Sequence, residues 1–108
     1  MAIEVFLVDD HTVFFFFFNL LLEKEEDIHV IGEAEDGHEA VAKVPAADPD
    51  VVLMDISMPN LNGIEATRQI IEEHPDIDIL VLSMKNNAED AYQALQAGAI
   101  GYILKKSA

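Results

Sequence analysis

The stretch Val51-Val52-Leu53-Met54-Asp55 constrains this chain more than any other. Four successive apolar residues, two of them β-branched, suit a strand buried on both faces, where periodicity gives way to a continuous run. The run closes on a carboxylate. Met58-Pro59 and Asn62-Gly63 then force the chain to turn. Asp55 is therefore expected at the carboxyl end of an interior strand, the edge where open parallel sheets place ligands.

The rest of the chain repeats that grammar. Ile3 to Val8 is apolar apart from Glu4 and runs into Asp9-Asp10-His11-Thr12. Thr12 or Asp10 can cap a helix reaching about Glu26. That segment contains Phe14 to Phe18, five phenylalanines that cannot all face one side of a helix. After the charged stretch Glu23 to Asp27, Ile28 to Ala34 alternates loosely and predicts an edge strand, with His29 as surface filler. Asp36-Gly37 reads as a turn, Glu39 to Val44 as a short helix cut off by Pro45, and Ala46 to Asp50 as a connector. Ile64 to Ile71 has helical spacing, with Ile64, Thr67, Ile70 and Ile71 on one face. Ile77 to Leu82 is another buried strand, ending at Ser83. Asn86 or Asn87 can cap a helix that carries Tyr92, Leu95 and Gln96 and closes at Gly98. Ala99 to Leu104 is a fifth strand, running into Lys105-Lys106.

Five strands alternating with four helical segments predict one α/β domain with a parallel sheet and right-handed crossovers. The chain has 108 residues, enough for a single core. The longest apolar run, Val13 to Phe18, is far below the roughly 18 residues of a membrane span, and no basic flank marks a signal peptide. With 21 acids against 6 bases the net charge is −15, so direct binding to nucleic acid or anionic lipid is not expected. The absence of cysteine fits a cytoplasmic protein.

If the strands are parallel, Asp9, Asp10, Asp55, Ser83 and Lys105 gather on one edge of the sheet. Two unit charges ~4 Å apart repel by ~4 kcal/mol at an effective dielectric near 20, a cost that a divalent cation removes. Oxygen donors without Cys or a well-placed His favour Mg2+ over Zn2+. Lys105 suits a phosphoryl oxygen, and the Ser83 hydroxyl adds a neutral donor. A carboxylate nucleophile, a metal and a cation together point to phosphoryl transfer onto Asp55.

At this point the chain resembles the receiver domain of two-component response regulators, from Ile3 to Lys106. The matching residues are Asp9-Asp10-His11, Val51 to Pro59, Asn62-Gly63, Leu82-Ser83, Ala97-Gly98-Ala99 and Gly101 to Lys105. The resemblance implies a flavodoxin-like five-stranded parallel sheet in order 2-1-3-4-5 with helices on both faces. It implies Asp55 as phosphoacceptor from a sensor histidine kinase and Asp10 as a direct Mg2+ ligand. Asp9 would assist, and the Ser57 backbone carbonyl would complete the protein ligands. Ser83 would hydrogen-bond the phosphoryl group, Lys105 would pair with it, and Tyr102 would be the aromatic switch residue. Asp10-His11, Gly32-Glu33-Ala34 and Gly101-Tyr102 resemble the subfamily with a LuxR-type helix-turn-helix output, so the parent protein is expected to regulate transcription through its own DNA-binding domain.

Two departures shape the remaining expectations. Phe15 and Phe16 stand where such receivers carry polar residues, and the family's fifth helix is missing after Lys105-Lys106. Residues 1–108 are thus expected to be a receiver domain truncated at its C-terminus, without an output domain. The Phe-rich segment would meet exposed surface on another copy, giving a homodimer. The chain is read as a switch, not an enzyme beyond its own phosphorylation and dephosphorylation at Asp55. The alternatives are a non-signalling dimerisation module and a Mg2+-dependent aspartyl-phosphate phosphatase. The latter class has an acid two residues after its nucleophile, where this chain has Ser57.

Overall fold

The runs read as strands pair into one sheet. In the computed structural model, residues 3–9, 24, 26–56, 62–83 and 87–104 are described. Among them, β1 (Ile3–Val8), β2 (Ile28–Ala34), β3 (Val51–Asp55), β4 (Asp78–Ser83) and β5 (Gly101–Leu104) form a parallel sheet in the order β2-β1-β3-β4-β5. Three helices cross between them: α1 (Gly37–Ala47), α2 (Gly63–Glu73) and α3 (Ala88–Gln96). The order expected from the resemblance is the order found. The helix expected from Thr12 lies outside the described residues, except that Lys24 and Glu26 lie in a turn before β2. Phe14 to Phe18 lie outside them too.

The interior follows from period-two alternation. Phe6 and Val8 of β1, Val52 and Met54 of β3, and Ile79 and Val81 of β4 all face the same side. There they meet Ala40 and Val44 of α1, Ala66 and Ile70 of α2, and Ala94 of α3. Alanines at the contact points let helix and sheet backbones approach closely. Val5 and Leu7, on the other face of β1, are buried as well, which is why that strand reads as an unbroken apolar run. Ile64 and Ile71 pack beside Thr67 and Ile70, as the helical spacing predicts.

Each helix opens on an Asx cap. Asp36 accepts from the Glu39 N–H at 2.8 Å, and Asn62 from the Glu65 N–H at 2.9 Å. Asn87 accepts from Glu89 and Asp90 at 2.9 and 3.1 Å. Asp36-Gly37 and Asn62-Gly63 are therefore helix starts, not simple turns. The same short acceptor side chain serves both, and an apolar face downstream decides between them.

Pro45 does not cut α1 off. The helix continues to Ala47 and ends at Asp48 in the left-handed region (φ 49°), whose N–H donates to the Val44 carbonyl at 2.9 Å. A proline in the last turn forfeits one backbone bond, while Ala40 and Val44, both fully buried, keep the helix seated. The fifth strand is also shorter than expected. Ala99 donates to the Ala94 carbonyl and so belongs to the end of α3, and pairing in register begins at Gly101. Tyr92 and Leu95 of α3 are exposed, since Ala94 is the residue that faces the core.

Candidate functional site

Strand register brings the polar residues to one edge. Val8 of β1 lies opposite Met54 of β3, so the next residue on each strand, Asp9 and Asp55, stands at the same level. Asp9 is pinned there by its N–H, which donates to the Ala34 carbonyl of β2 at 3.0 Å. Asp55 pairs in register with Leu82, and the Ile56 N–H donates to the Leu82 carbonyl at 3.1 Å, continuing the ladder past the end of β3. Ser83 follows Leu82 and lies opposite Leu104, the residue before Lys105. The sheet thus delivers Asp9, Asp55 and Ser83 from three adjacent strands to its carboxyl edge.

These side chains are not solvated surface. Asp9 is 5% exposed, and Asp55 and Ser83 are 1% exposed each. Carboxylates withdrawn from water in this way require strong compensation. Both take part in further polar or electrostatic interactions, yet Oδ2 of Asp9 and Oδ2 of Asp55 are buried and accept no hydrogen bond. Among the described residues, Asp9, Asp55 and Ser83 bring oxygen donors to this edge, the kind that hard divalent cations prefer. No cluster of three potential metal ligands occurs among the described residues, and Asp10 is not one of them. Ser57 and Lys105 likewise lie outside the described residues.

The crossovers place helix starts at the same edge. α2 begins seven residues beyond Ile56, and its first residue, Gly63, donates its N–H back to the Ile56 carbonyl at 3.2 Å. The helix dipole makes such a start favourable to negative charge. Tyr102 stands opposite Val81 in β5, half-buried against the core. Because Ser83 is two residues beyond Val81, Ser83 and Tyr102 share a face of the sheet on neighbouring strands.

Two neighbours of the edge carboxylates are not evident from the sequence. Thr67 was expected on the buried face of its helix, but not that its hydroxyl would donate to the Gly63 carbonyl at 2.7 Å. Gly63 was read as part of a turn, whereas it sits directly against the Asp55 backbone. An Asx-Gly helix start with Thr four residues on signals the Thr67 bond, and nothing local in the chain signals the Gly63 contact.

Comparison with known proteins agrees with this arrangement. The model of the response regulator receiver domain matches residues 5–108. The transcriptional regulatory protein LiaR of Bacillus subtilis is 44% identical over 105 residues, covering 97% of this chain and 50% of its own. The chain spans about half the length of the curated relatives it matches. A two-component response regulator of the LuxR family from Aurantimonas superposes with a TM-score of 0.92 at 35% identity, covering 97% of this chain and 75% of that one. The isolated receiver domain of RcsB from Salmonella enterica serovar Typhimurium, solved with the phosphomimetic BeF3−, gives 0.90 at 32% identity, covering 100% and 80%. No helix among the described residues is long and apolar enough to cross a membrane. With the sheet order, the buried edge carboxylates and these matches in agreement, the chain belongs to the receiver domains of two-component response regulators, alongside those of LuxR-type regulators.

Proposed function

We propose that the chain is a phosphorylation-dependent switch whose phosphoacceptor is Asp55. The observation that supports this best is the burial of Asp9, Asp55 and Ser83 together at the carboxyl end of three adjacent strands. A carboxylate oxygen of Asp55 attacks the phosphorus of a phosphohistidine on a sensor histidine kinase. The new O–P bond forms as the P–N bond breaks, and the electron pair leaves with the imidazole, which takes up a proton. Asp9, Asp10, Asp55 and the Ser57 backbone carbonyl are the groups that would hold Mg2+. Bound there, Mg2+ supplies positive charge against the phosphoryl oxygens. The Ser83 hydroxyl donates to a phosphoryl oxygen, and the Lys105 ammonium pairs with another. Movement of Ser83 toward the phosphoryl group leaves room on the shared face for Tyr102 to turn inward, which alters the α3–β5 surface read by a helix-turn-helix output domain of the parent protein.

A second reading, a binding module that self-associates without signalling, draws on the exposed apolar side chains Tyr92, Leu95, Ile100 and Ile103. The phosphatase reading lacks the second acid, since Ser57 occupies that position. Incubation with acetyl phosphate and Mg2+, with Asp55→Asn as control, separates the three. Stoichiometric base-labile modification absent from the control supports the switch. No modification supports the binding module, and multiple turnover on small phosphoesters supports the phosphatase.

A further inference from the structure

Gly63 is a glycine whose backbone conformation does not require one. Among the described residues only Gly98 is a glycine with positive φ, so at Gly63 any L-residue could adopt the dihedrals. Space is what forbids a side chain. A Cβ at Gly63 would lie 2.1 Å from the Asp55 carbonyl oxygen and 2.8 Å from both the Asp55 carbonyl carbon and the Ile56 Cα. All three are backbone atoms of the strand end that carries the phosphoacceptor, and none can swing aside as a side-chain tip could. Ordinary van der Waals contact begins at 3.4 Å, so relief requires strand end and helix to part by more than about 1 Å.

The contact is fastened from both sides. The Gly63 N–H donates to the Ile56 carbonyl at 3.2 Å. On the helix side, the buried Thr67 hydroxyl donates to the Gly63 carbonyl at 2.7 Å, and Thr67 is fully enclosed. Asn62 caps the same turn through the Glu65 N–H. The first turn of α2 is thus a rigid block resting against the Asp55–Ile56 peptide.

We infer that Gly63 is a positioning residue for Asp55, its missing side chain letting the Thr67-latched start of α2 press on the Asp55–Ile56 backbone and set the level of the Asp55 carboxylate against Asp9. The inference rests on Asp55 being the phosphoacceptor. It makes a demand that a purely structural glycine would not. Alanine is the better helix former, so without this contact Gly63→Ala would be neutral or stabilising. With the contact, the substitution displaces the nucleophile.

The test is the rate of Asp55 modification by acetyl phosphate with Mg2+, per folded molecule, below the melting transition, at several donor concentrations. Gly63→Ala is expected to lower the rate at saturating donor by about tenfold to a hundredfold, the loss associated with misplacement by ~1 Å, while the half-saturating donor concentration changes little. Thr67→Val, which removes the hydroxyl at similar volume, is expected to slow modification less, and Thr67→Ser to restore it. A folded Gly63→Ala protein modified as fast as the parent overturns the inference and leaves the role of Asp55 intact. Absence of modification in the parent protein, matching Asp55→Asn, overturns both. If Gly63→Ala does not fold, the Thr67 pair decides: Thr67→Val at the parental rate overturns the inference, and a slow Thr67→Val with a parental Thr67→Ser supports it.

Discussion

Asp55→Asn should stabilise this protein when divalent cations are removed. The substitution keeps the shape of the side chain and deletes one of two carboxylates that neighbouring strands bury at the same level. Parallel strands lie about 4.8 Å apart. At that separation and an effective dielectric near 20, two unit charges repel by roughly 3 kcal/mol. Other interactions of Asp9 and Asp55 offset part of this, so a net gain of about 1–2 kcal/mol is expected. For a domain of this size that corresponds to a melting temperature higher by about 5–10 °C. Thermal melts followed by circular dichroism, in EDTA and in excess MgCl2, give the comparison. The parent protein should gain stability on adding Mg2+, by ~2.7 kcal/mol when the cation reaches about a hundred times its dissociation constant. Asp55→Asn should gain much less, having lost one of the proposed ligands. An Asp55→Asn protein that melts at or below the parent in EDTA, or that responds to Mg2+ as strongly as the parent, would rule out repulsion between the two carboxylates.

Other consequences concern stability. Asp36→Ala, which removes the acceptor for the Glu39 N–H, should cost about 1 kcal/mol by urea denaturation. Gly98→Ala should cost about 1–3 kcal/mol, because Gly98 has φ +112° and a Cβ there would lie 2.9 Å from Ile71 Cγ2. Its rate of Asp55 modification, measured on folded protein, should stay at the parental value. Glu39 is held below its usual 4.5 first by the Lys43 ammonium at 2.7 Å and then by the Glu35 N–H. A lowered carboxylate stabilises fully above 4.5, and that contribution fades as pH falls through the lower folded value. Acid titrations of the parent and Glu39→Gln should therefore diverge above about pH 4.5 and converge below it, by a small amount because the pair is solvated.

What could be read from the sequence followed burial. Val5–Val8 and Val51–Asp55 were legible because strand segments largely covered on both faces admit no polar interruption until they reach the carboxyl edge. Asp9, Asp55 and Ser83 were legible as a group for the same reason: each is the first polar residue after such a run. The ambiguous places were those where one local signal serves two structures. Asp36-Gly37 and Asn62-Gly63 are turn formers and helix caps alike, and Pro45 ends helices but also fits a last turn anchored by Val44. The role of Gly63 could not be read at all. It depends on how closely α2 approaches β3, a distance set by Ala66, Thr67 and Ile70 seating the helix on the sheet, and no pattern in the chain encodes it.

The identity of the cap beside Asp55 also has a physical reading. Asp36, at the start of α1 after the edge strand β2, is charged, whereas Asn62, one residue before the glycine that touches the Asp55 backbone, is neutral. Asp and Asn cap helices about equally well, and a negative charge in a first turn normally favours the helix. Stability alone would therefore accept Asp at position 62. Under the proposed phosphorylation of Asp55 the site would not, because that charge would repel an incoming phosphoryl group close to two buried carboxylates. Asn62 is exposed, which weakens the effect. Two unit charges ~8 Å apart at an effective dielectric near 40 repel by about 1 kcal/mol, which would be about a fivefold loss of rate. Asn62→Asp should thus fold with parental stability yet be phosphorylated about fivefold more slowly, with the difference shrinking as salt is raised. Asp36→Asn, the reciprocal exchange at the α1 start that follows β2, two strands from the one bearing Asp55, should change the rate less. A salt-independent loss, or none, would show that the neutral cap beside Asp55 serves the helix alone.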